Sequence, residues 1–365
     1  MSSSLLLCHS GLVHTPVDPE ATAVLIDGAN IEWVGSEAGA RSLYDSRMQR
    51  VDMGGRLLCA AFSLGMARVS TVIEAETLTR HLLEHGYGGV TYNVPADIFD
   101  EVSSLLSRVG VHGYLYCEVN SLGEVESLSR GVDRISLSAT CLELEEILEV
   151  AASRNYHLSV HVEGEGEYQP FIKRLVDQEL HHFPSIRCDG VRYLSQESIM
   201  QCVEYKISLG FTCYVNEDVH RSLSAAISSG AVTFCGSDPN SSMPEILGWN
   251  LIHQFMEHNT PEISVTSRGM FHTLTRSVYR SLGEPSSFHG QLVPSTPADC
   301  ALWEITSLES PQNQGIAQNW STDPRSRVPS LPYLQEANLP VLSSLYIGGQ
   351  LILSKSSAKS WPRLT

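Results

Sequence analysis

Short apolar runs alternate with longer amphipathic segments through the middle of the chain. The apolar runs, at residues 57–62, 89–94, 113–119, 134–138, 157–161, 185–194 and 231–238, have the length and composition of buried strands. Segments of helical length lie between several of them, at residues 74–86, 97–109 and 142–154. This alternation predicts an α/β fold with a parallel (β/α)8 TIM barrel, in which functional side chains follow the carboxyl ends of the strands.

Both ends of the chain have a different pattern. Residues 4–53 read as short strands joined by turns, with the Asp27-Gly28 turn between two apolar alternations, which is a strong hairpin signal. Residues 299–303 and 345–352 are again short strand candidates. We therefore expect a small sheet at the amino terminus whose partner comes from the carboxyl terminus.

Composition restricts the classes of function. The 365 residues are 42% hydrophobic and 18% charged, which is typical of a globular protein. A formal net charge of −17 and the absence of a basic run argue against nucleic-acid and anionic-membrane partners. Nine scattered cysteines without a C-x-x-C pair predict reduced thiols in a cytoplasmic protein. No apolar stretch is long enough to span a bilayer, and none resembles a signal peptide.

The segment GRLLCAAFSLGMAR, at residues 55–68, resembles the start of the barrel in the amidohydrolase superfamily. That family has a pattern like G-R-L-V-x-P-G/A-F-V-D-A-H-V-H, in which the two histidines bind a divalent metal. The histidines fall here on Met66 and Arg68. A thioether prefers soft metals, and a guanidinium is a permanent cation without a lone pair to donate. The resemblance therefore implies that the usual histidine pair of a zinc-type site is absent.

Three later strand ends continue the resemblance. LSVHVEGEGEY is similar to the fifth barrel strand in the branch that includes N-substituted formamide deformylases, which implies that His161 is a metal ligand and places Glu165 where that family has aspartate. AVTFCGSD is similar to the eighth strand, whose aspartate, here Asp238, binds metal and activates water. In the sixth strand the metal-binding histidine falls on Gly190 and the acid before it on Asp189.

The resemblance also implies an arrangement of domains. We expect a β-sandwich built from residues 1–59 and 293–353, a TIM barrel at residues 60–292, and a tail at residues 354–365. Of the family's metal-binding side chains, His161 and Asp238 remain by position. Glu165, Asp189 and Arg68 are the candidates for substrate binding.

Three functions remain open from the sequence. The first is a metal-dependent hydrolase that cleaves a C–N bond in an amide-like small molecule, with Asp189 or Cys188 as a replacement ligand. The second is a barrel that has lost catalysis and acts as a small-molecule binding or homo-oligomerising protein. The third is a metal-free enzyme that uses Asp238 and Arg68. Each candidate residue also has a purely structural interpretation. His161 could be a buried histidine at a strand end that is hydrogen-bonded to a backbone carbonyl, and Asp238 could be part of a turn or a helix N-cap.

Overall fold

The computed structural model describes residues 5–129, 131–177, 183–237, 247–309 and 330–355. The chain divides into two compact units, one of residues 1–62, 82–88 and 288–365 and the other of residues 63–81 and 89–287. The strands are β1 (Leu5–His9), β2 (Leu12–Val13), β3 (Ala23–Asp27), β4 (Asn30–Gly35), β5 (Gln49–Asp52), β6 (Leu57–Ala60), β7 (Phe62–Arg68), β8 (Tyr87–Val94), β9 (His112–Glu118), β10 (Arg134–Ser138), β11 (His157–His161), β12 (Ile186–Val191), β13 (Ile207–Thr212), β14 (Thr233–Gly236), β15 (Cys300–Glu304), β16 (Val341–Ile347) and β17 (Gln350–Ser354). The helices are α1 (Glu37–Leu43), α2 (Val72–Glu84), α3 (Phe99–Val109), α4 (Leu122–Ser127), α5 (Leu144–Ser153), α6 (Glu165–Asp177), α7 (Gln196–Glu204), α8 (Glu217–Ser228), α9 (Gly248–Glu257), α10 (Ser267–Thr273) and α11 (Arg276–Ser281).

The larger unit is built around one parallel sheet. In the described residues this sheet has eight strands, whose spatial order follows the chain from β7 to β14. The neighbouring pairs from β8 to β14 all run parallel. Directly after β14, the N–H of Ser237 donates to the carbonyl of Met66 in β7 at 2.8 Å, so the two ends of the sheet meet. The predicted α/β fold with a TIM barrel is therefore confirmed.

An apolar cluster fills part of this barrel unit. Strands contribute Met66, Tyr116 and Phe234, and α11 contributes Val278 and Tyr279. All of these side chains are at most 3% exposed. Met66, at a position where the family pattern has a metal-binding histidine, is therefore a core side chain in this protein.

The barrel helices begin and end at residues suited to those positions. Ser121, Ser195 and Asn216 each accept a hydrogen bond from a backbone N–H in the first turn of α4, α7 and α8, and such caps contribute about 1 kcal/mol each. Helix α3 ends at Gly110, whose φ of 77° lies in the left-handed region that glycine adopts without strain. No helix within the described ranges has the length and apolar character needed to cross a bilayer.

The smaller unit contains two sheets that use strands from both ends of the chain. One sheet has the order β4-β3-β1-β5, and the other has the order β17-β16-β15-β6-β2. The predicted Asp27-Gly28 turn lies in the β3–β4 hairpin, where Asp27 pairs with Asn30 and Gly28 has a φ of 57°. One apolar cluster includes residues from both sheets, among them Leu6, Ile26 and Cys300.

Two expectations about strands need correction. The run at residues 57–62 is not the first barrel strand: β6 ends at Ala60 and pairs with β15 and β2 in the smaller unit. Barrel strand β7 starts at Phe62, after a break at Ala61. An apolar run shows that a strand is buried but does not show which sheet it joins. The segment at residues 345–352 is likewise two strands, because Gly348 and Gly349 form the turn between β16 and β17.

Candidate functional site

A pocket with polar and apolar side chains lies at the carboxyl ends of the barrel strands. Its volume is about 130 Å³. The lining comes from the ends of β7 to β12 and the residues after them: Met66, Arg68, Asn93, Glu118, Val119, Asn120, Ser136, Leu137, Ser138, His161 and Asp189. Three residues singled out from the sequence, Arg68, His161 and Asp189, thus meet in one place. This is the end of a TIM barrel where ligands bind and catalysis occurs.

His161 and Asp189 form a hydrogen-bonded pair across β11 and β12. Nδ1 of His161 lies 3.3 Å from Oδ1 of Asp189, and the two residues are direct neighbours in the parallel register. Burial opposes protonation of His161, but the hydrogen bond and charge of Asp189 outweigh it and raise the pKa of the imidazole. The other ring nitrogen, Nε2, lies 3.6 Å from Oε1 of Glu163. Asp189 therefore fixes the orientation of the ring and stabilises its protonated form.

Asp189 is a buried carboxylate with several partners. Its side chain is 2% exposed, and its Oδ2 accepts a hydrogen bond from Ser159 Oγ at 2.6 Å. Burial favours the neutral carboxyl, but the hydrogen bonds from His161 and Ser159 and the nearby charge of Arg187 outweigh it and lower its pKa. Asp189 is therefore ionised at neutral pH, and its lone pairs are directed at partners within the protein.

Arg187 places a second charge in the barrel interior, two residues before Asp189. Its guanidinium carbon lies 3.9 Å from the centre of the Phe234 ring and 5.2 Å from that of Tyr116. Nη2 donates to the carbonyl of Gly65, while Nε and Nη1 have no hydrogen-bond partner among the described residues. The aromatic faces stabilise this cation, and the cation compensates the buried charge of Asp189.

Arg68 and Glu118 form a forked ion pair on the opposite wall. Nε of Arg68 lies 2.7 Å from Oε1 of Glu118, and Nη2 lies 3.0 Å from Oε2. Glu118 is 16% exposed and Arg68 is 56% exposed. Two parallel hydrogen bonds of this kind hold a guanidinium in one orientation. A fixed positive charge thus lies on the pocket wall.

Asn93 contributes an amide whose oxygen has no partner. Its Nδ2 lies 3.5 Å from Oδ2 of Asp189, and its Oδ1 has no hydrogen-bond partner in the described part of the chain. The residue is 8% exposed. Because an ionised carboxylate only accepts, the nitrogen must face Asp189 and the oxygen is the free atom.

Glu165 lies outside this pocket. Its carboxylate accepts from Ser195 Oγ at 2.9 Å, from Ser198 Oγ at 2.5 Å and from the backbone N–H of Ser195 at 3.1 Å. Glu165 therefore connects the start of α6 to the start of α7. Its carboxylate oxygens accept hydrogen bonds from these residues of the protein. The structure does not bring Glu165 to the other residues proposed for substrate binding.

Three other positions bear on metal binding: Asp238 and Cys188, which were suggested as ligands, and Gly190, where the family has a histidine. Asp238 lies outside the described residues. Gly190, at the family's histidine position, has a φ of 79° and no side chain that can coordinate. Cys188 is fully buried on β12, and burial raises the pKa of its thiol well above the usual value. Cys188 is not among the residues that line the pocket.

The donor set of the described residues does not fit a divalent metal. In these ranges no group of three or more His, Cys, Asp and Glu side chains could hold one. Nδ1 of His161 and both oxygens of Asp189 are already engaged. The guanidinium of Arg68 has no lone pair to donate to a metal, and the carboxylate of Glu118 is already engaged by it.

Several residues that line the pocket or contact its lining were missed by the sequence analysis. Glu118 and Asn93 lie at or next to the ends of predicted strands, so the strand-end rule that selected His161 would also have found them. Ser159 and Arg187 lie inside strands, where no motif distinguishes them from core residues. Their partners are supplied by neighbouring strands and are visible only in the fold.

Comparison with known proteins identifies the fold. No protein-family model matches the chain, and no curated protein matches it in sequence. Among solved structures, an amidohydrolase from an environmental sample of the Sargasso Sea has a TM-score of 0.69 at 10% identity, over 98% of this chain and 95% of that one. N-isopropylammelide isopropylaminohydrolase from Burkholderia multivorans has a TM-score of 0.68 at 14% identity, over 95% and 98%. Triazine hydrolase from Arthobacter aurescens has 0.66 at 16%, over 97% and 96%. At these identities the similarity shows the fold, and at that level the resemblance to amidohydrolases is confirmed.

Proposed function

We propose that this chain, which has the fold of the amidohydrolases, belongs to that superfamily and is a hydrolase of a C–N bond in an amide-like small molecule. The observation that carries the proposal is the pocket at the carboxyl ends of the barrel strands, where Arg68, Asn93, His161 and Asp189 meet. Structural neighbours named as triazine hydrolase and isopropylaminohydrolase support a reaction at a C–N bond. Fold alone does not determine chemistry, so the pocket residues must support it as well.

The described residues suit the binding and positioning steps of such a reaction. Arg68 offers N–H groups to a carbonyl or carboxylate oxygen. Asp189 holds His161 so that Nε2 can take or give a proton at the pocket. From the family resemblance, Asp238 is proposed to activate the attacking water and, with His161, to bind a metal if one is used. No step through a metal follows from the described residues.

A second candidate function is binding of a small molecule without hydrolysis. The observation that favours it is the identity of the residues at the family's first metal site. Met66 is 3% exposed in an apolar cluster, and Arg68 is held by Glu118. A thioether prefers soft metals and a guanidinium has no lone pair to donate, so neither replaces a histidine as a ligand of a zinc-type cation.

Metal analysis and hydrolysis assays separate the two candidates. Protein purified without chelators is analysed for metal and assayed against amide-like small molecules, beside Asp238→Ala and the exposed control Asp100→Ala. The hydrolase proposal predicts turnover that is lost in Asp238→Ala and kept in Asp100→Ala. Stoichiometric zinc lost in the same variant would show a metal-dependent reaction. Binding of such molecules without turnover would favour the second candidate.

The β-sandwich, the domain boundaries, the location and the oligomeric state are also proposals. We propose that the two smaller sheets form the expected β-sandwich, supported by the cluster that includes Leu6 and Ile26 from one sheet and Cys300 and Tyr346 from the other. The domain boundaries at residues 59, 292 and 353, a cytoplasmic location and a homo-oligomeric state remain predictions. Limited proteolysis, cell fractionation and light scattering, respectively, test them.

A further inference from the structure

One stretch of the barrel unit carries positive charge and no acid. Residues 263–283, ISVTSRGMFHTLTRSVYRSLG, include no aspartate or glutamate, although the chain has 41 acidic residues and 24 lysines and arginines. Basic side chains recur in this stretch at intervals of four residues, at Arg268, His272, Arg276 and Arg280. The first two lie in α10 and the last two in α11. The sequence therefore concentrates positive charge on these two helices, in a chain whose net charge is −17.

Arginines on other barrel helices have a glutamate at this spacing. Nη2 of Arg221 lies 2.8 Å from Oε1 of Glu217, four residues earlier in α8, and Arg80 has the same contact in α2. In α11 the residue four positions before Arg280 is instead a second arginine, Arg276. Like charges four residues apart lie on one face of a helix and repel each other. This face of α11 therefore favours a negatively charged partner.

Arg276 has no acidic partner among the residues that the structure describes. It is partly buried, and its Nε is enclosed without a hydrogen bond. Burial and the charge of Arg280 lower its pKa, and no described carboxylate acts against them. Burial and the charges of Arg276 and Arg268 lower the pKa of His272 to about 4, so its imidazole is neutral at pH 7. Three uncompensated arginine charges thus act on one another or on this histidine.

The neighbours of these helices limit which donors a ligand can use. Glu284, the first acid after the stretch, acts on the pKa of His157 and is not among the groups that act on Arg276. Arg268 also interacts with another part of the chain, so it is counted only for its charge. The donors offered to a ligand are therefore those of Arg276, which is partly exposed, and Arg280, which is exposed.

Helices α10 and α11 lie across the amino ends of barrel strands. Oγ1 of Thr273 lies 2.9 Å from Oγ1 of Thr233, the first residue of β14. The carbonyl of Leu274 accepts from the N–H of Ser63, near the start of β7, at 2.7 Å. The pocket lies at the carboxyl ends of the strands, which is the opposite end of the barrel. A ligand on these helices would therefore act on stability and take no part in the chemistry of the pocket.

We propose that α10 and α11 bind a phosphate dianion, free or as a small monoester, through the guanidinium groups of Arg276 and Arg280. Guanidinium N–H groups match the geometry of phosphate oxygens, and a dianion compensates the repulsion between the two side chains. A long polyanion such as a nucleic acid is not favoured, because the net charge of −17 repels it beyond this patch. The inference goes beyond the proposed hydrolase function and does not depend on it.

The experiment uses inorganic phosphate and glycerol 2-phosphate as probes. The full chain is titrated by calorimetry at mildly alkaline pH, where both probes are mainly dianions, with the ionic strength held constant by sodium chloride. We expect saturable binding of at least one probe, and the probe that binds more tightly identifies the source of the phosphate. Because the ligand binds the folded chain, it should also raise the melting temperature. Sodium chloride at the same ionic strength should give no such rise.

Variants of the chain locate the site. Arg276→Gln and Arg280→Gln are each expected to weaken phosphate binding by roughly tenfold, as for loss of a charge-assisted hydrogen bond. Arg276→Lys should weaken it less, because lysine keeps the charge. Arg221→Gln is the matched control, since it makes the same change of charge on a helix outside this cluster. Without phosphate, Arg280→Gln should melt no lower than the unaltered chain, because it relieves the repulsion within α11.

The proposal is overturned if neither probe binds the unaltered chain, or if sodium chloride raises the melting temperature as much as phosphate does. It is also overturned if folded Arg221→Gln loses as much affinity as folded Arg280→Gln, because binding would then follow net charge and not this cluster. Phosphate binding has no bearing on the turnover of Asp238→Ala, so either proposal can fail alone.

Discussion

The guanidinium of Arg187 lies 3.9 Å from the centre of the Phe234 ring in the interior of the barrel. Arg187 is fully buried, and the charge nearest to it along β12 is Asp189. Burial lowers the pKa of Arg187, and the charge of Asp189 works against that change. The barrel interior therefore contains two charges that stabilise each other.

A double-mutant cycle should reveal that coupling. We expect Arg187→Met alone to lower the free energy of unfolding by about 3 kcal/mol, because Asp189 is left buried without its cation. Asp189→Asn alone should cost a similar amount. The double variant should cost less than the sum by about 1–3 kcal/mol. Urea denaturation measures all four proteins, and additive costs would show that the two charges act separately.

Glu165→Ala should affect stability and leave ligand binding unchanged. Glu165 accepts hydrogen bonds from Ser195 and Ser198 at the start of α7. Loss of these contacts at a helix start should cost about 1–2 kcal/mol. Chemical denaturation gives the cost, and calorimetry with a pocket ligand gives the affinity. A loss of affinity in folded Glu165→Ala would instead support the role in substrate binding that the sequence suggested.

Gly65→Ala should strain the contact between the first and last barrel strands. A Cβ on Gly65 would overlap the Phe234 ring and lie 2.7 Å from the carbonyl oxygen of Cys235. Because part of that obstacle is backbone, we expect destabilisation of about 3 kcal/mol or loss of the folded state. Gly123→Ala is the control, since nothing lies within 4 Å of its added Cβ and alanine favours the α4 helix. Equal melting temperatures for the two variants would contradict the strand contact described here.

Stability should fall as the pH is lowered from about 6.5 to about 4. Burial, assisted by the charge of Arg134, lowers the pKa of His157 from 6.5 to about 4, and Nδ1 of His157 lies 2.8 Å from Ser185 Oγ. Between those values the unfolded chain binds a proton that the folded chain does not, so acid favours unfolding. Denaturation across this range should show a shallower pH dependence for His157→Asn.

The exposed residue His258 provides the control for that experiment. His258→Asn removes an imidazole from the surface, where Nδ1 lies 2.8 Å from the carbonyl of Gln254. It should leave the slope of stability against pH between 6.5 and 4 close to that of the unaltered chain. Identical slopes for His157→Asn and the unaltered chain would mean that other groups cause the acid sensitivity. His272, whose pKa burial also lowers to about 4, would then be the next candidate.

Local patterns predicted several barrel strands closely. Predicted ranges 134–138 and 157–161 coincide with β10 and β11, because their apolar runs are bounded by polar residues and turns. The seventh barrel strand, β13, was missed, and 57–62 was assigned to the wrong sheet. Both errors have one cause. The residue pattern of a short buried strand does not show which strands it pairs with.

The site residues were also predicted correctly in part. His161, Asp189 and Arg68 were selected by family position, and the fold brings all three to one pocket. Glu165 was selected by the same reasoning and instead supports a helix start. Its position four residues after His161 could not separate the two roles, because the direction of its side chain depends on α6 and α7.

The sequence by itself determined that strands and helices alternate and that His161 ends a strand, because both follow from local composition and spacing. The family resemblance then implied that Met66 and Arg68 stand where the family has histidines. The tertiary structure decided that Glu118 holds Arg68, that Asp189 holds His161, and that the amide nitrogen of Asn93 lies 3.5 Å from Asp189. Those contacts join residues about 30 to 100 positions apart, and they exist because the parallel strands of the barrel all end at one edge.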